Sequence, residues 1–247
     1  MPGGATQTGW PAVTGGVAIA VCREDAAGPC VADIGLELLA RLYLSGVRQI
    51  RSPGCTCGRA GAEARPADAM DRMGMILASR GLAPLGWREI RLTPAVRAAL
   101  AVVGEGVSLA RRGFLRGRAG APAAQDDSTT AAPALPRLLA LCADAPGALF
   151  PVSPVIEANR CNGCDGCVRI CPEGALTLVN VGAGDLRYEA AAESCNGCAL
   201  CLGPCDADAI DLREMAPKAA AVQLSEGHCR ACGIAIHEPA ARGPIND

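Results

Sequence analysis

Residues 161–176 read CNGCDGCVRICPEGAL, and residues 195–210 read CNGCALCLGPCDADAI. The second stretch repeats the cysteine positions of the first at a constant offset of 34 residues, and both follow the pattern C-x2-C-x2-C-x3-C. An internal repeat of this kind predicts two copies of one structural unit. Because eight of the 15 cysteines of the chain lie in these two runs, the repeat decides the fold of this part of the molecule.

The spacing within each run has a chemical reason. Two residues between ligands let three thiolates reach three irons of one [4Fe–4S] cubane, and the fourth cysteine, three residues on, points toward a second cluster. Glycines at 163, 166 and 197 allow the backbone to wrap closely, so that its N–H groups face the sulfurs. The alternative is two structural zinc sites of four cysteines each, for which two such runs in tandem are rare.

The two runs resemble the bacterial two-cluster ferredoxin family over residues 154–215, about a quarter of the chain. The resemblance implies an α+β fold of paired short hairpins and helices, and one-electron transfer between clusters. It implies one [4Fe–4S] cluster on Cys161, Cys164, Cys167 and Cys205, and another on Cys195, Cys198, Cys201 and Cys171. One position departs from the family, because Cys171 is followed by Pro172 but Cys205 is followed by Asp206.

The first part of the chain alternates strand and helix patterns. Apolar runs predict strands at 17–22, 47–51 and 87–92, and helical spacing predicts helices at 33–45, from Pro66 to Gly81 and from Pro94. This alternation predicts a small α/β domain with a parallel sheet over residues 17–104, after a flexible N-terminus at 1–16.

Four further cysteines, Cys22, Cys30, Cys55 and Cys57, fall in this α/β part. Ligands bind beyond the carboxyl ends of parallel strands, so cysteines after two predicted strands could converge on a [2Fe–2S] cluster. The arrangement resembles the iron–sulfur delta-type subunit associated with hydrogenases and heterodisulfide reductases. The alternatives are a metal-free domain with buried thiols, a redox dithiol or a zinc site.

The remaining segments carry weaker patterns. Residues 105–153 are predicted to be a basic helix and a flexible linker, and Cys142, among leucines, is expected to be a buried thiol. Residues 216–247 have little apolar periodicity and are predicted to be a tail. Within it, Cys229 and Cys232 form half of a zinc knuckle that His228 or His237, or a second chain, could complete; the alternative is a degenerate knuckle without metal.

Charge and composition limit the function classes. The net charge is −2, but residues 1–122 carry a net +6 and residues 155–215 a net −6. We expect no transmembrane segment and a cytoplasmic location, because long apolar stretches and a signal-peptide pattern are lacking. Only one aromatic residue lies near the arginines of residues 110–116, which argues against nucleic-acid binding. The sequence also has no glycine-rich fingerprint of a dinucleotide-binding protein and no nucleophile elbow of a hydrolase.

These observations predict an electron-transfer protein, or such a subunit of an oxidoreductase, that is not a catalyst alone. Its two [4Fe–4S] clusters would relay single electrons between donor and acceptor redox proteins. The alternative is an accessory or maturation factor for a redox enzyme, with structural clusters. The only hint of that alternative is the internal stretch Ala110–Arg116, which resembles a twin-arginine export motif.

Overall fold

The computed structural model describes residues 13–21, 31–54, 66–91, 93–94, 132–182, 184–229 and 231–243. The chain divides into two compact units, Met1–Leu138 and Leu139–Asp247. Several predictions fall outside the described residues: the possible extra cluster on Cys22, Cys30, Cys55 and Cys57, the Ala110–Arg116 stretch, and most of the linker.

The first unit contains a four-stranded sheet in the order β1–β2–β3–β4. Its strands are β1 Val13–Thr14, β2 Val17–Ile19, β3 Gln49–Ser52 and β4 Gly86–Glu89. β2 pairs in parallel with β3, and β3 with β4, which confirms the predicted small parallel sheet. The prediction missed β1, which turns back antiparallel to β2 through the tight turn at Gly15–Gly16.

Two helices connect the parallel strands, α1 Leu36–Leu44 and α2 Ala67–Ser79. Their apolar spacing buries one face of each helix, with Leu39, Leu42, Met73, Ile76 and Leu77 in the core. A third helix, α3 Ala134–Leu139, begins where the Glu37 carboxylate accepts the N–H groups of Ala134 and Leu135 at 2.8 and 2.9 Å. These contacts satisfy donors that the first turn of a helix leaves free.

The second unit is built on the cysteine repeat. β5 Leu149–Ile156 pairs antiparallel with β8 Ile210–Pro217, and β6 Leu176–Asn180 pairs with β7 Leu186–Ala190. A short helix, α4 Gly166–Ile170, precedes β6, and the 3₁₀ turn Leu200–Leu202 precedes β8. Each half therefore runs strand, cysteine loop, helical turn, strand, as a repeat predicts.

The C-terminal segment differs from the prediction. Residues 216–247, expected as a tail, contain two strands, β9 Val222–His228 and β10 Ala235–Pro239. β9 pairs with β7 and β10 with β9, so the β6–β7 hairpin becomes a four-stranded sheet in the order β10–β9–β7–β6. The sequence pattern failed because Leu224 is the one buried residue of β9, so the strand has little alternation to detect.

Cys142 also departs from its prediction. It is exposed, in a turn just after α3 and with a positive φ of 52°, and is not the buried thiol that its leucine neighbours suggested. Leu138 and Leu139 do enter the core, but the helix ends there and the chain turns outward. Across the described ranges, the helices are too short or too polar to cross a membrane.

Candidate iron–sulfur site

Two loops of nearly the same backbone shape carry the repeated cysteines. Gly163 and Gly197, which are equivalent in the repeat, both have a φ of 74°, and the equivalent pair Asp165 and Ala199 have φ values of 59° and 60°. Such left-handed residues bend each loop back on itself after its first cysteines. At Gly163 a Cβ atom would lie 1.9 Å from the carbonyl oxygen of His237, so the close approach there requires glycine.

Backbone N–H groups point at the cysteine sulfurs in both halves. The N–H of Gly163 donates to Sγ of Cys161 with an N···Sγ distance of 3.5 Å, and the N–H of Gly197 donates to Cys195. A second pair of donors, Ala175 to Cys171 and Ala209 to Cys205, lies at 3.2 Å. Sequence reasoning expected the first pair and missed the second, whose signal is the shared Cys-x3-Ala at the end of both runs.

The eight thiols form two groups, and each group takes its fourth member from the other run. Burial, with the nearby thiols of Cys161, Cys164 and Cys205, raises the pKa of Cys167 to about 12. Burial likewise raises the pKa of Cys201, and the nearby thiols are those of Cys195, Cys171 and Cys198. This proximity agrees with the grouping that the ferredoxin resemblance implies, while ligation itself stays a prediction.

The surroundings of the thiols fit a [4Fe–4S] cluster. The second group, Cys171, Cys195, Cys198 and Cys201, lines a cavity whose other walls include Pro154, Ala175, Leu176 and Leu212. An apolar wall keeps a thiol protonated, as the raised pKa of Cys201 reflects. A bound metal centre displaces that proton, and N–H groups aimed at sulfur then stabilise the thiolate.

The first loop also carries a polar network that sequence reasoning missed. The Tyr188 hydroxyl donates to Asp165 Oδ1 at 2.6 Å, and His237 Nε2 lies 2.9 Å from the same oxygen and 3.2 Å from the Tyr188 hydroxyl. Burial, and then the hydrogen bond to Asp165, raise the pKa of Tyr188 well above its ordinary value, so the phenol is neutral and donates. The available signal was Asp165 standing where the second run has Ala199.

The C-terminal cysteines lie at the turn between β9 and β10. The N–H of Gly233 donates to the Cys229 carbonyl at 2.7 Å, and the N–H of Cys229 to Ile234 at 2.8 Å. Hydrogen bonds from the backbone of Ala231 and Cys232, and then from the Cys232 thiol, lower the pKa of Cys229.

The possible zinc ligands are only partly brought together. Cys229 and Cys232 are hydrogen-bonded neighbours, but His237 Nε2 is engaged with Asp165. Among the residues that the structure describes, no three Cys, His, Asp or Glu side chains converge as ligands of a single metal ion. The thiols of a [4Fe–4S] site bind separate irons and need not converge on one point.

The comparisons with known proteins identify the cysteine repeat. Residues 160–209 match the family model described as a 4Fe-4S dicluster domain, and none of the curated proteins matches the chain. The match gives no support to the resemblance of the N-terminal part to hydrogenase and heterodisulfide reductase subunits, or to a [2Fe–2S] cluster or zinc. It covers both loops and both groups of thiols, and so supports a 4Fe–4S ferredoxin-type domain in this part of the chain.

Proposed function

We propose that this protein is an iron–sulfur electron-transfer protein, or such a subunit of an oxidoreductase, that relays single electrons between redox enzymes through two [4Fe–4S] clusters. The observation that carries the proposal is the exchange of the fourth cysteine, which leaves Cys205 beside the first run and Cys171 beside the second. In two-cluster ferredoxins this exchange ties two clusters into one unit.

The cysteines would divide between the clusters as the thiols are grouped. Cys161, Cys164, Cys167 and Cys205 would hold the first, and Cys195, Cys198, Cys201 and Cys171 the second. A [4Fe–4S] cluster supplies reversible one-electron redox chemistry. The chain contributes buried positions for Cys161, Cys167 and Cys201, and N–H donors to the sulfurs of Cys171 and Cys205, which tune the reduction potential.

The charge of the domain supports a basic docking surface on the redox partner. Residues 155–215 carry ten acidic residues and four arginines. An acidic surface of this kind attracts a basic partner over about a Debye length and speeds the encounter. Such steering suits a carrier, which has to meet and leave its donor and acceptor.

The proposal is tested by anaerobic reduction followed by electron delivery. The holoprotein is titrated with dithionite, mixed with an oxidised one-electron acceptor, and followed by its visible absorbance. A two-cluster carrier takes up about two electrons per chain and gives them back to the acceptor. The matched variants Cys164→Ser and Cys198→Ser should each lose about half of this capacity. Clusters that cannot be reduced and reoxidised would contradict electron transfer and favour a structural role in an accessory factor.

A further inference from the structure

The C-terminal segment, residues 222–243, touches the first cysteine loop at three points. The carbonyl oxygen of His237 abuts Gly163, where a Cβ atom would lie 1.9 Å away. The His237 ring contacts Asp165, with Nε2 2.9 Å from Oδ1. Arg242, in the 3₁₀ turn after β10, donates from Nη1 to the carbonyl oxygen of Cys161 at 3.1 Å.

The second loop has different surroundings at the equivalent positions. Gly197 faces the side chain of Val152, from β5, and not the backbone of the C-terminal segment. Ala199 is exposed, and the next residue, Leu200, is 51% exposed. Cys161 is buried, whereas its counterpart Cys195 is only partly buried. The repeat is therefore nearly symmetric in backbone shape but unequal in how its two loops are covered.

The hydrogen-bond directions follow from the network around Asp165. The neutral Tyr188 hydroxyl donates its proton to Asp165 Oδ1, so its oxygen is left to accept. His237 Nε2 faces both that oxygen and the carboxylate, and therefore carries a proton that it donates. The side chains of His237 and Asp165 are only 18% and 14% exposed, and a hydrogen bond to a carboxylate is strong in such surroundings.

We propose that residues 222–243 form a cap on the first cysteine loop, held by His237 and Arg242, so that the first [4Fe–4S] site retains its iron more firmly than the second. The inference rests on the proposed function. His237 and Arg242 are positioning residues, because they act through Asp165 and the carbonyl of Cys161. Asp165 lies between Cys164 and Cys167, so fixing its carboxylate fixes the loop that carries both cysteines.

The test uses the anaerobic holoprotein and bathophenanthroline disulfonate, an iron(II) chelator, with iron release followed by absorbance. The wild type should lose its iron in a fast and a slow phase of about equal size, one for each cluster. His237→Ala should speed the slow phase about tenfold and leave the fast phase unchanged, because one charge-assisted hydrogen bond is lost. His237→Gln keeps a donor and should restore most of the slow phase, and Gln223→Ala, at an exposed position of the neighbouring strand β9, is the control.

A second readout separates positioning from a general loss of stability. In an EPR-monitored redox titration, His237→Ala should move the midpoint potential of one cluster only, and His237→Gln should move it back. A single release phase in the wild type, or equal acceleration of both phases in His237→Ala, overturns the cap. A chain that holds well below about eight irons contradicts the proposed function instead, whereas eight irons released in one phase contradict the cap alone.

Discussion

One cysteine at the end of each run decides how the two halves of the domain are joined. Cys205 lies beside Cys161, Cys164 and Cys167, and Cys171 lies beside the second run. Each fourth cysteine lies beside the other run because the helical turn after each loop carries it away from its own run. The crossing is the feature that distinguishes a two-cluster unit from two independent four-cysteine sites.

Paired substitutions test the crossing directly. The double variant Cys164→Ser with Cys205→Ser should lose one cluster, about half of the iron, because both cysteines serve the same site. The double variant Cys198→Ser with Cys205→Ser should lose both clusters. Iron analysis and the EPR spectrum of the reduced protein provide the measurement. The reverse pattern would mean that each fourth cysteine stays with its own run.

Cys229 gives a prediction on pH dependence. Hydrogen bonds from the backbone of Ala231 and Cys232 and from the Cys232 thiol stabilise the thiolate and lower the pKa of Cys229 below its ordinary value. Alkylation by iodoacetamide requires the thiolate, so labelling should rise at a lower pH than for an ordinary thiol. Peptide mass spectrometry across a pH series measures it. Cys232→Ala removes the thiol donor and should move the labelling curve to higher pH, whereas a Cys229 that resists labelling at every pH would indicate a bound metal or a disulfide.

At the scale of elements, the repeat predicts the cysteine loops well and their surroundings poorly. The repeat and its glycines predict loops that wrap closely around the sulfurs, and in the structure Gly163 and Gly197 both have the left-handed φ of 74°. The cap strands β9 and β10 could not be predicted, because β9 has a single buried residue, Leu224, and is stabilised by its pairing with β7 instead. The same holds for His237, whose role depends on a contact 72 residues away in sequence.

Matched glycine substitutions distinguish two effects on stability, that of the left-handed loop conformation and that of the contact between the loop and the cap. Gly163→Ala and Gly197→Ala both place a side chain at a φ of 74°, which costs each variant about 1 kcal/mol. Gly163→Ala also drives its Cβ into the carbonyl of His237, whereas in Gly197→Ala the Cβ meets a methyl group of Val152 at 3.1 Å. We expect Gly163→Ala to be less stable than Gly197→Ala by about 2 kcal/mol, or several degrees in Tm. Thermal unfolding of the anaerobic holoproteins measures this, and equal Tm values would argue against the close contact.

At the scale of the whole molecule, the parallel sheet of the first unit was predictable and its chemistry was not. Alternating apolar runs and helical spacing place β2, β3, β4, α1 and α2 within a few residues of the structure, because burial of Ile50 and its neighbours follows from pattern alone. The role of the four N-terminal cysteines depends on positions outside the described residues, and so remains a prediction.

The uneven charge of the chain predicts how electron transfer responds to salt. The domain of residues 155–215 carries a net −6, so salt should screen its attraction to a basic acceptor such as cytochrome c. If this domain docks the partner, electron transfer should slow several-fold between low salt and about 0.3 M NaCl. Stopped-flow reoxidation of the reduced holoprotein measures the rate, with an uncharged small-molecule acceptor as the control. A rate that rises with salt would place the basic residues of the first part of the chain at the docking surface instead.

The most direct test of two [4Fe–4S] clusters is the iron and acid-labile sulfide content of the anaerobically purified chain, together with the EPR spectrum of the reduced protein. Two clusters predict about eight irons and eight sulfides per chain, with signals broadened by interaction between two reduced clusters. A further cluster outside the ferredoxin-type domain would add irons without removing that interaction. Zinc in place of iron, or about four irons with the signal of an isolated cluster, would contradict the account.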